Sequence, residues 1–198
     1  MTDFQNLTLY VIRHGECEHN ALGVVAGQND SPLTEKGRAQ ARANGRRLRD
    51  LVGDLSRFDF FASSLHRTCS TMERMREGAG LPPTGYRAER RLMEIDCGDN
   101  TWRRWSDITA DAEKNPVWHR ARWDYCHPGG ESFHDLSTRV EEFLKTLTRD
   151  SIIVTHAGPV RAIRGHYLGL TSDAVLSYQA PHAGIMRLSA GTEAFFCD

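Results

Sequence analysis

The sequence predicts an α/β fold, a three-layer sandwich in which helices flank a mostly parallel central sheet. Short runs of β-branched and aromatic residues alternate along the chain with longer segments whose apolar residues recur every three or four positions. Two of the apolar runs end in a histidine, His14 and His156. Because ligands bind at the carboxyl ends of parallel strands in such sheets, we expect both histidines at the ligand-binding edge.

The first half of the chain predicts two strands, each followed by a helix. The run "LTLYVI" predicts a buried strand over residues 7–13, and Thr34 is the expected N-cap of a helix that runs to about Val52. The run "FDFFASS" predicts a second strand over residues 58–64. A second helix follows it before "GAGLPP", and its apolar positions have helical spacing: Leu65, Cys69, Met72 and Met75.

The second half predicts an irregular segment, then a strand, a helix and a hairpin. Residues 82–132 are rich in Pro, Gly, Trp and charge, with a short strand expected at "YRAER" and helix around 103–125. We expect a lid-like insertion at about 99–130. Ser132 is the predicted N-cap of the next helix, the run "SIIVTHAGPVRAI" predicts a strand and helix, and "AGIMRLSAGTEAFFCD" predicts the closing hairpin.

The length of the chain predicts a single domain over residues 1–198, and its composition limits its partners. The chain is 39% hydrophobic and 26% charged with a formal net charge of -1, which argues against disorder and against a broadly basic nucleic-acid surface. Its five cysteines are scattered and form no CxxC pair, and no signal peptide or membrane span is predicted. We expect a cytoplasmic protein without nucleic-acid or membrane partners; its oligomeric state stays open.

Two histidines and two arginines form the candidate chemistry. A guanidinium binds two oxygens of a phosphate at once, so Arg13 and Arg67 are suited to hold one. A neutral histidine ring is a good nucleophile near neutral pH, and nearby arginines favour the neutral form of His14 and His156. A backbone carbonyl that accepts one ring N–H would direct the other ring nitrogen at phosphorus.

Motifs along residues 8–168 resemble the histidine phosphatase superfamily, the phosphoglycerate mutase-like family, in its phosphatase branch. The "RHGE" at residues 13–16 is similar to the family signature. The other matching segments are, in chain order, "GQNDSPLTEKGRAQA", "SSLHRTCSTM", "RRLMEIDCG", "GGESFHDLSTRVEEFL" and "VTHAGPVRAI".

The resemblance implies a phosphomonoester hydrolase that acts on a small phosphorylated metabolite through a phosphohistidine and needs no metal or organic cofactor. It implies that His14 accepts the phosphoryl group and that Glu94 gives a proton to the leaving oxygen. It also implies a set of phosphoryl-binding groups: Arg13, Asn20, Arg67, His156 and the backbone N–H of Ala157.

The chain departs from the family pattern on the substrate side. Ala26 stands where relatives often have a polar side chain, and "GDNTWRRW" replaces the "GxWEG" that is common in phosphatase relatives. The aromatic residues of the insertion either contact an organic group of the substrate or pack with one another: Trp102, Trp105, Trp118, Trp123 and Tyr125.

Three alternatives remain at this point. A metal hydrolase would use His14, Glu16, His19 and Asp96 as ligands, but their spacing matches no common metal signature and Arg13 would repel a cation. A non-catalytic phospho-ligand binder is the second alternative.

The third alternative is phosphoglycerate mutase chemistry, which uses the same phosphohistidine. A paired cation at Arg103 and Arg104 could hold a second phosphate. However, 198 residues is short for a mutase of the family, and "GGES" at residues 129–132 resembles the phosphatase branches.

Overall fold

A six-stranded sheet forms the centre of the computed structural model, which describes residues 3–197. The strands are β1 (Leu9–Arg13), β2 (Asp59–Ser63), β3 (Arg87–Glu89), β4 (Ser151–Thr155), β5 (Ile185–Ser189) and β6 (Thr192–Phe196), in the spatial order β3-β2-β4-β1-β5-β6. The first four of that order pair in parallel, and β5 and β6 add antiparallel pairs at one edge. The mostly parallel α/β sheet is therefore confirmed.

Helices cover both faces of this sheet. They are α1 (Glu18–Leu22), α2 (Glu35–Val52), α3 (His66–Gly78), α4 (Trp105–Ala112), α5 (Pro116–Arg120), α6 (Phe133–Leu144), α7 (Ala157–Leu168) and α8 (Ser172–Ser177). Successive β1 side chains alternate between two apolar clusters: Leu9 and Val11 pack with α6 and α7, whereas Tyr10 and Ile12 pack with α2 and α3. This alternation produces the three-layer sandwich.

Side-chain caps fix the starts of two long helices where the sequence predicts them. The Thr34 hydroxyl accepts the Gly37 N–H at 3.1 Å. At α6, the Ser132 hydroxyl accepts the Asp135 N–H at 3.1 Å, and the Asp135 carboxylate accepts the Ser132 N–H at 3.0 Å. The five-residue α1 and six-residue α8 were not predicted, because such short helices show too little periodicity.

Helices α2 and α3 approach so closely that a glycine is required at residue 45. A Cβ atom added to Gly45 would lie 1.9 Å from the Met75 carbonyl oxygen, which belongs to the rigid backbone of α3. We expect Gly45→Ala to lower the free energy of unfolding by about 1–3 kcal/mol in urea denaturation. Helix propensity alone predicts the opposite sign, by about 1 kcal/mol.

Arg46→Ala is the matched control for this prediction. Arg46 is the next residue of α2 and is exposed. Its replacement should change stability by no more than about 0.5 kcal/mol. Equal or greater stability of Gly45→Ala would show that the two helices separate at no cost.

Segment 99–130 contains α4 and α5 and is attached to the loop that follows α1. The Trp102 N–H donates to the Val25 carbonyl at 2.8 Å, and the Val25 N–H donates to the Arg103 carbonyl at 2.9 Å. The Trp102 ring packs on the buried ring of His19, with centroids 4.1 Å apart.

Among the helices of residues 3–197, none combines the length and apolar character of a membrane span.

Candidate active site

The two histidines lie side by side because β1 and β4 are adjacent and parallel. Arg13 is in register with Thr155 at the carboxyl ends of these strands, and the His14 N–H donates to the Thr155 carbonyl at 2.9 Å. The residue that follows each strand is a histidine, and the ring centroids of His14 and His156 are 5.0 Å apart. The sheet edge predicted from the sequence is where they meet.

His14 is held as a neutral imidazole with a defined tautomer. Its side chain is buried, and its Nδ1–H donates to the Gly15 carbonyl at 2.8 Å, so Nε2 carries the lone pair. Burial and the charges of Arg67 and Arg13 hold the pKa of His14 well below its usual value. His14 also lines a cavity of about 450 Å³, so it can act there as an uncharged nucleophile.

His182 supports the backbone of His14. Its Nδ1–H donates to the His14 carbonyl at 3.0 Å, and the two ring centroids are 5.4 Å apart. Burial, with a smaller effect of Arg13, lowers the pKa of His182 to about 4. From the sequence alone, His182 is expected to be only a surface or supporting residue. Its contact with His14 depends on the antiparallel pairing of β5 with β1, which no local sequence pattern specifies.

Arg67 and Arg13 bring two positive charges to the cavity. Arg67 lies in the first turn of α3, almost fully buried, and its two terminal nitrogens donate to the carbonyls of Asn29 and Gly27 at 2.7 and 2.8 Å. Arg13 donates from one terminal nitrogen to the Ala180 carbonyl at 2.6 Å, and its buried Nε has no partner within residues 3–197. These anchors fix both guanidinium groups beside His14.

His156 is fully buried against the His14 ring and is not among the residues that line the cavity. Its Nε2 shares a hydrogen bond of 2.8 Å with the Ser63 hydroxyl, whereas its Nδ1 is buried and has no partner in the described part of the chain. Burial, followed by the charge of Arg67, holds the pKa of His156 well below its usual value. Of the two ring nitrogens, Nδ1 is therefore the one without a partner in residues 3–197, and its contact with a phosphoryl oxygen stays a prediction.

The side chain of Glu94 contacts the first turn of α7. Its Oε1 accepts the N–H groups of Ile95 at 2.9 Å and Gly158 at 3.0 Å, and its backbone carbonyl accepts Arg139 Nη2 at 3.0 Å. A Cβ atom on Gly158 would lie 2.5 Å from Oε1, so the glycine is what lets the carboxylate approach the helix. Because Oε1 is occupied in this way, Oε2 is the oxygen that can exchange a proton with a substrate.

Asn20 and Ala157 complete the predicted set on the cavity wall. The Asn20 Oδ1 accepts the backbone N–H of Cys17 at 3.1 Å and its thiol at 3.0 Å, so the amide NH2 group is the part that can donate to an anion. Ala157 is the first residue of α7, and a helix start presents unpaired N–H groups.

Each residue considered as a metal ligand contacts another protein group: His14 the Gly15 carbonyl, Glu16 the Lys36 ammonium, His19 the Trp102 ring and Asp96 the Gly98 N–H. Glu16 forms an ion pair with Lys36 at 2.9 Å and accepts the Thr34 hydroxyl at 3.0 Å. No group of three or more His, Cys, Asp or Glu side chains in residues 3–197 is arranged to hold a metal ion.

Aromatic residues of segment 99–130 divide between the cavity and the core. Trp105, Trp118 and Tyr125 line the cavity, and the Trp118 and Tyr125 rings make an edge contact at 5.2 Å. Trp123 instead packs on Phe133, with ring centroids 5.0 Å apart. Packing within the group is thus present between Trp118 and Tyr125, and contact of the cavity-lining rings with an organic group of the substrate stays a prediction.

The model of the histidine phosphatase superfamily (branch 1) matches residues 9–198. The chain belongs to this superfamily. It is 33% identical over 191 residues to a probable phosphoglycerate mutase of Salmonella choleraesuis, a match that covers 92% of this chain and 84% of the relative.

Solved structures of the superfamily have the same fold. The alpha-ribazole phosphatase from Shigella flexneri superposes with a TM-score of 0.75 at 26% identity, covering 96% of this chain and 95% of that one. A mycobacterial glucosyl-3-phosphoglycerate phosphatase gives a TM-score of 0.75 at 26% identity, covering 96% and 98%. The relatives of this histidine phosphatase superfamily member therefore include both phosphatases and mutases.

Proposed function

We propose that this protein is a phosphomonoester hydrolase that acts through a phosphohistidine at His14. The observation that carries the proposal is the hydrogen bond from His14 Nδ1–H to the Gly15 carbonyl, which leaves Nε2 unprotonated in a cavity beside Arg13 and Arg67. A neutral nucleophile flanked by fixed cations is the arrangement that phosphoryl transfer requires.

In the first step, His14 Nε2 attacks phosphorus and the bond from phosphorus to the ester oxygen breaks. Glu94 gives its proton from Oε2 to the departing oxygen, so the alcohol leaves neutral and Glu94 becomes a carboxylate. Arg13 and Arg67 hold the charge that spreads over the phosphoryl oxygens, and Asn20 and the Ala157 N–H add donors. His156 Nδ1 adds another donor in the tautomer in which Nε2 accepts the Ser63 hydroxyl.

In the second step, water attacks the phosphohistidine. The Glu94 carboxylate takes a proton from that water, the bond from phosphorus to Nε2 breaks, and inorganic phosphate leaves. His14 returns to its neutral form with its Nδ1–H still donated to the Gly15 carbonyl, so the site is ready for a second turnover. In this mechanism the arginine side chains stabilise the negative charge of the phosphoryl group, so no metal ion is needed.

Mutase chemistry is the second candidate, favoured by the similarity to a probable phosphoglycerate mutase. A mutase has to hold a second phosphate. Arg103 is instead paired with Asp111 and Asn100, and neither Arg103 nor Arg104 lines the cavity. This placement argues against Arg103 and Arg104 as the residues that would hold that second phosphate.

Phosphate release from a panel of phosphorylated metabolites tests the proposed hydrolysis. We expect at least one phosphomonoester to be hydrolysed with many turnovers, at an unchanged rate after exhaustive chelation. Phosphoglycerate should release phosphate slowly or not at all, without interconversion of its two positional isomers.

Three results would contradict this proposal. Rapid isomer interconversion that needs a bisphosphate primer, with negligible phosphate release, would establish the mutase. Loss of activity on chelation with rescue by zinc or magnesium would establish a metal-dependent reaction. Tight phosphate binding without turnover of any ester would leave a non-catalytic binder.

A further inference from the structure

The cavity contains more positive charge than one phosphoryl group neutralises. Four arginines and one glutamate line it, a formal charge of +3 with its histidines neutral: Arg13, Arg67, Arg122, Arg161 and Glu94. The lining histidines are neutral because burial lowers the pKa of each: His14, His127 and His182. A phosphomonoester carries close to two negative charges, so about one positive charge would remain with Glu94 ionised, and about two with Glu94 protonated as in the first step proposed above.

Arg161 is the first of two arginines in this cavity that the phosphoryl transfer does not use. It lies on α7, four residues after Ala157, and its Nε donates to the Tyr178 carbonyl at 2.7 Å. No carboxylate forms an ion pair with it in residues 3–197. By contrast Arg164, on the same helix, forms two hydrogen bonds of 2.6 Å with Glu193. The charge of Arg164 is thus matched, whereas that of Arg161 is not.

Arg122 is the second. It lies between α5 and α6, with its guanidinium 4.6 Å from the centre of the Trp118 ring, and both residues line the cavity. Burial is the main cause that lowers the pKa of Arg161, and the nearby charge of Arg122 lowers it further. The two like charges line one cavity, and neither has a carboxylate partner in residues 3–197. They repel each other, and an anion between them would relieve that repulsion.

The position of Arg122 and Arg161 in the cavity suits a contact with the leaving alcohol of the substrate. The charge of Glu94 acts on Arg161 in the direction opposite to burial, by raising its pKa. Arg161 also acts on Arg13, which is next to His14. Glu94 Oε1 also accepts the N–H of Gly158, three residues before Arg161 on α7, at 3.0 Å. Because Arg161 lines the same cavity as Glu94 and His14, it is near both the proposed proton donor and the phosphoryl site. A group held by Arg161 and Arg122 would belong to the alcohol that Glu94 protonates.

We propose that Arg122 and Arg161 bind a second anionic group, a carboxylate or a phosphate, on the leaving alcohol of the substrate. The inference rests on the proposed function, since it places that group relative to the transferred phosphoryl. The preferred substrate is then a phosphomonoester with a further acidic group and with enough organic bulk to reach the wall of Trp105, Trp118 and Tyr125. Phosphoglycerate has the acid but lacks the bulk.

Phosphonates test this site without any turnover. Calorimetry would compare phenylphosphonate with the three isomers of phosphonobenzoate and with benzenediphosphonate, each of which adds one anion to the same ring. The unmodified protein should bind at least one doubly acidic ligand about tenfold more tightly than phenylphosphonate. A larger gain for benzenediphosphonate would identify the second anion as a phosphate, and a larger gain for a phosphonobenzoate would identify it as a carboxylate.

Variants assign the gain to the two arginines. In Arg161→Gln and in Arg122→Gln, the doubly acidic ligand should bind less than about threefold more tightly than phenylphosphonate. The affinity for phenylphosphonate itself should change by less than about twofold. Arg161→Lys keeps the charge and should retain part of the gain, which controls for a loss of the Tyr178 contact. The matched controls are Arg164→Gln, whose arginine pairs with Glu193, and Arg120→Gln, whose exposed arginine is outside the cavity; both should keep the full gain.

Equal affinity of the unmodified protein for singly and doubly acidic ligands would overturn the inference. So would an equal loss of affinity for all ligands in Arg161→Gln and Arg122→Gln. These outcomes are separate from those of the proposed function, because the phosphonates are not hydrolysed. The expected binding pattern together with a failure to hydrolyse any ester would reject hydrolysis and leave the second anion site in place.

Discussion

Replacement of His14 with alanine should abolish phosphoryl transfer, with a loss of at least about 1,000-fold in kcat. The variant removes the ring that carries the unprotonated Nε2, on a residue that follows β1 and lines the cavity. A brief incubation of the unmodified protein with labelled substrate should leave a phosphate on His14 that is labile to acid and stable to base. Rapid quenching followed by peptide mapping would detect it.

His134→Ala is the matched control for the His14 variant. The His134 ring is exposed and shares a hydrogen bond of 3.0 Å with Asp124, and neither residue lines the cavity, so its loss should leave both labelling and turnover unchanged. Label found on a serine, or undiminished label in His14→Ala, would assign the nucleophile to another residue.

The sequence predicts the sheet edge and four of its side chains, because each lies at the end of a strand or the start of a helix that short-range patterns mark: Arg13, His14, Arg67 and His156. The strand over β1 ends at Arg13 and the strand over β4 ends before His156, and parallel pairing brings the two ends together. Arg67 follows β2 in the first turn of α3, a boundary that the apolar periodicity of α3 also predicts. These positions follow from short-range patterns and one topological rule.

The residues that the sequence could not place depend on contacts between distant segments. His182 reaches His14 across 168 positions of the chain, and only the antiparallel addition of β5 to β1 brings it there. Arg122 and Arg161 look like ordinary surface arginines in the sequence, since neither has an unusual neighbour. Their shared cavity depends on how segment 99–130 packs over the start of α7, which no local periodicity encodes.

Replacement of Glu94 with glutamine should slow the hydrolysis of alkyl phosphates by about 100-fold or more. The Glu94→Gln variant would keep the shape of the side chain and a carbonyl oxygen that can accept the N–H groups to which Glu94 is bonded, those of Ile95 and Gly158 at 2.9 and 3.0 Å. The start of α7 should therefore keep its structure. What the variant lacks is a proton that can be transferred to the departing oxygen.

The leaving group determines how much that proton matters. An alkoxide is a strong base and leaves slowly without a proton, whereas an activated phenoxide leaves readily as an anion. Within the same Glu94→Gln preparation, a nitrophenyl phosphate should therefore slow by less than about tenfold, which makes the aryl ester the internal control for folding and for His14. Steady-state kcat/KM for the two esters measures the difference. Equal slowing of both would mean that Glu94 positions α7 or the phosphoryl group rather than transferring a proton, because a purely positional role acts on every substrate alike.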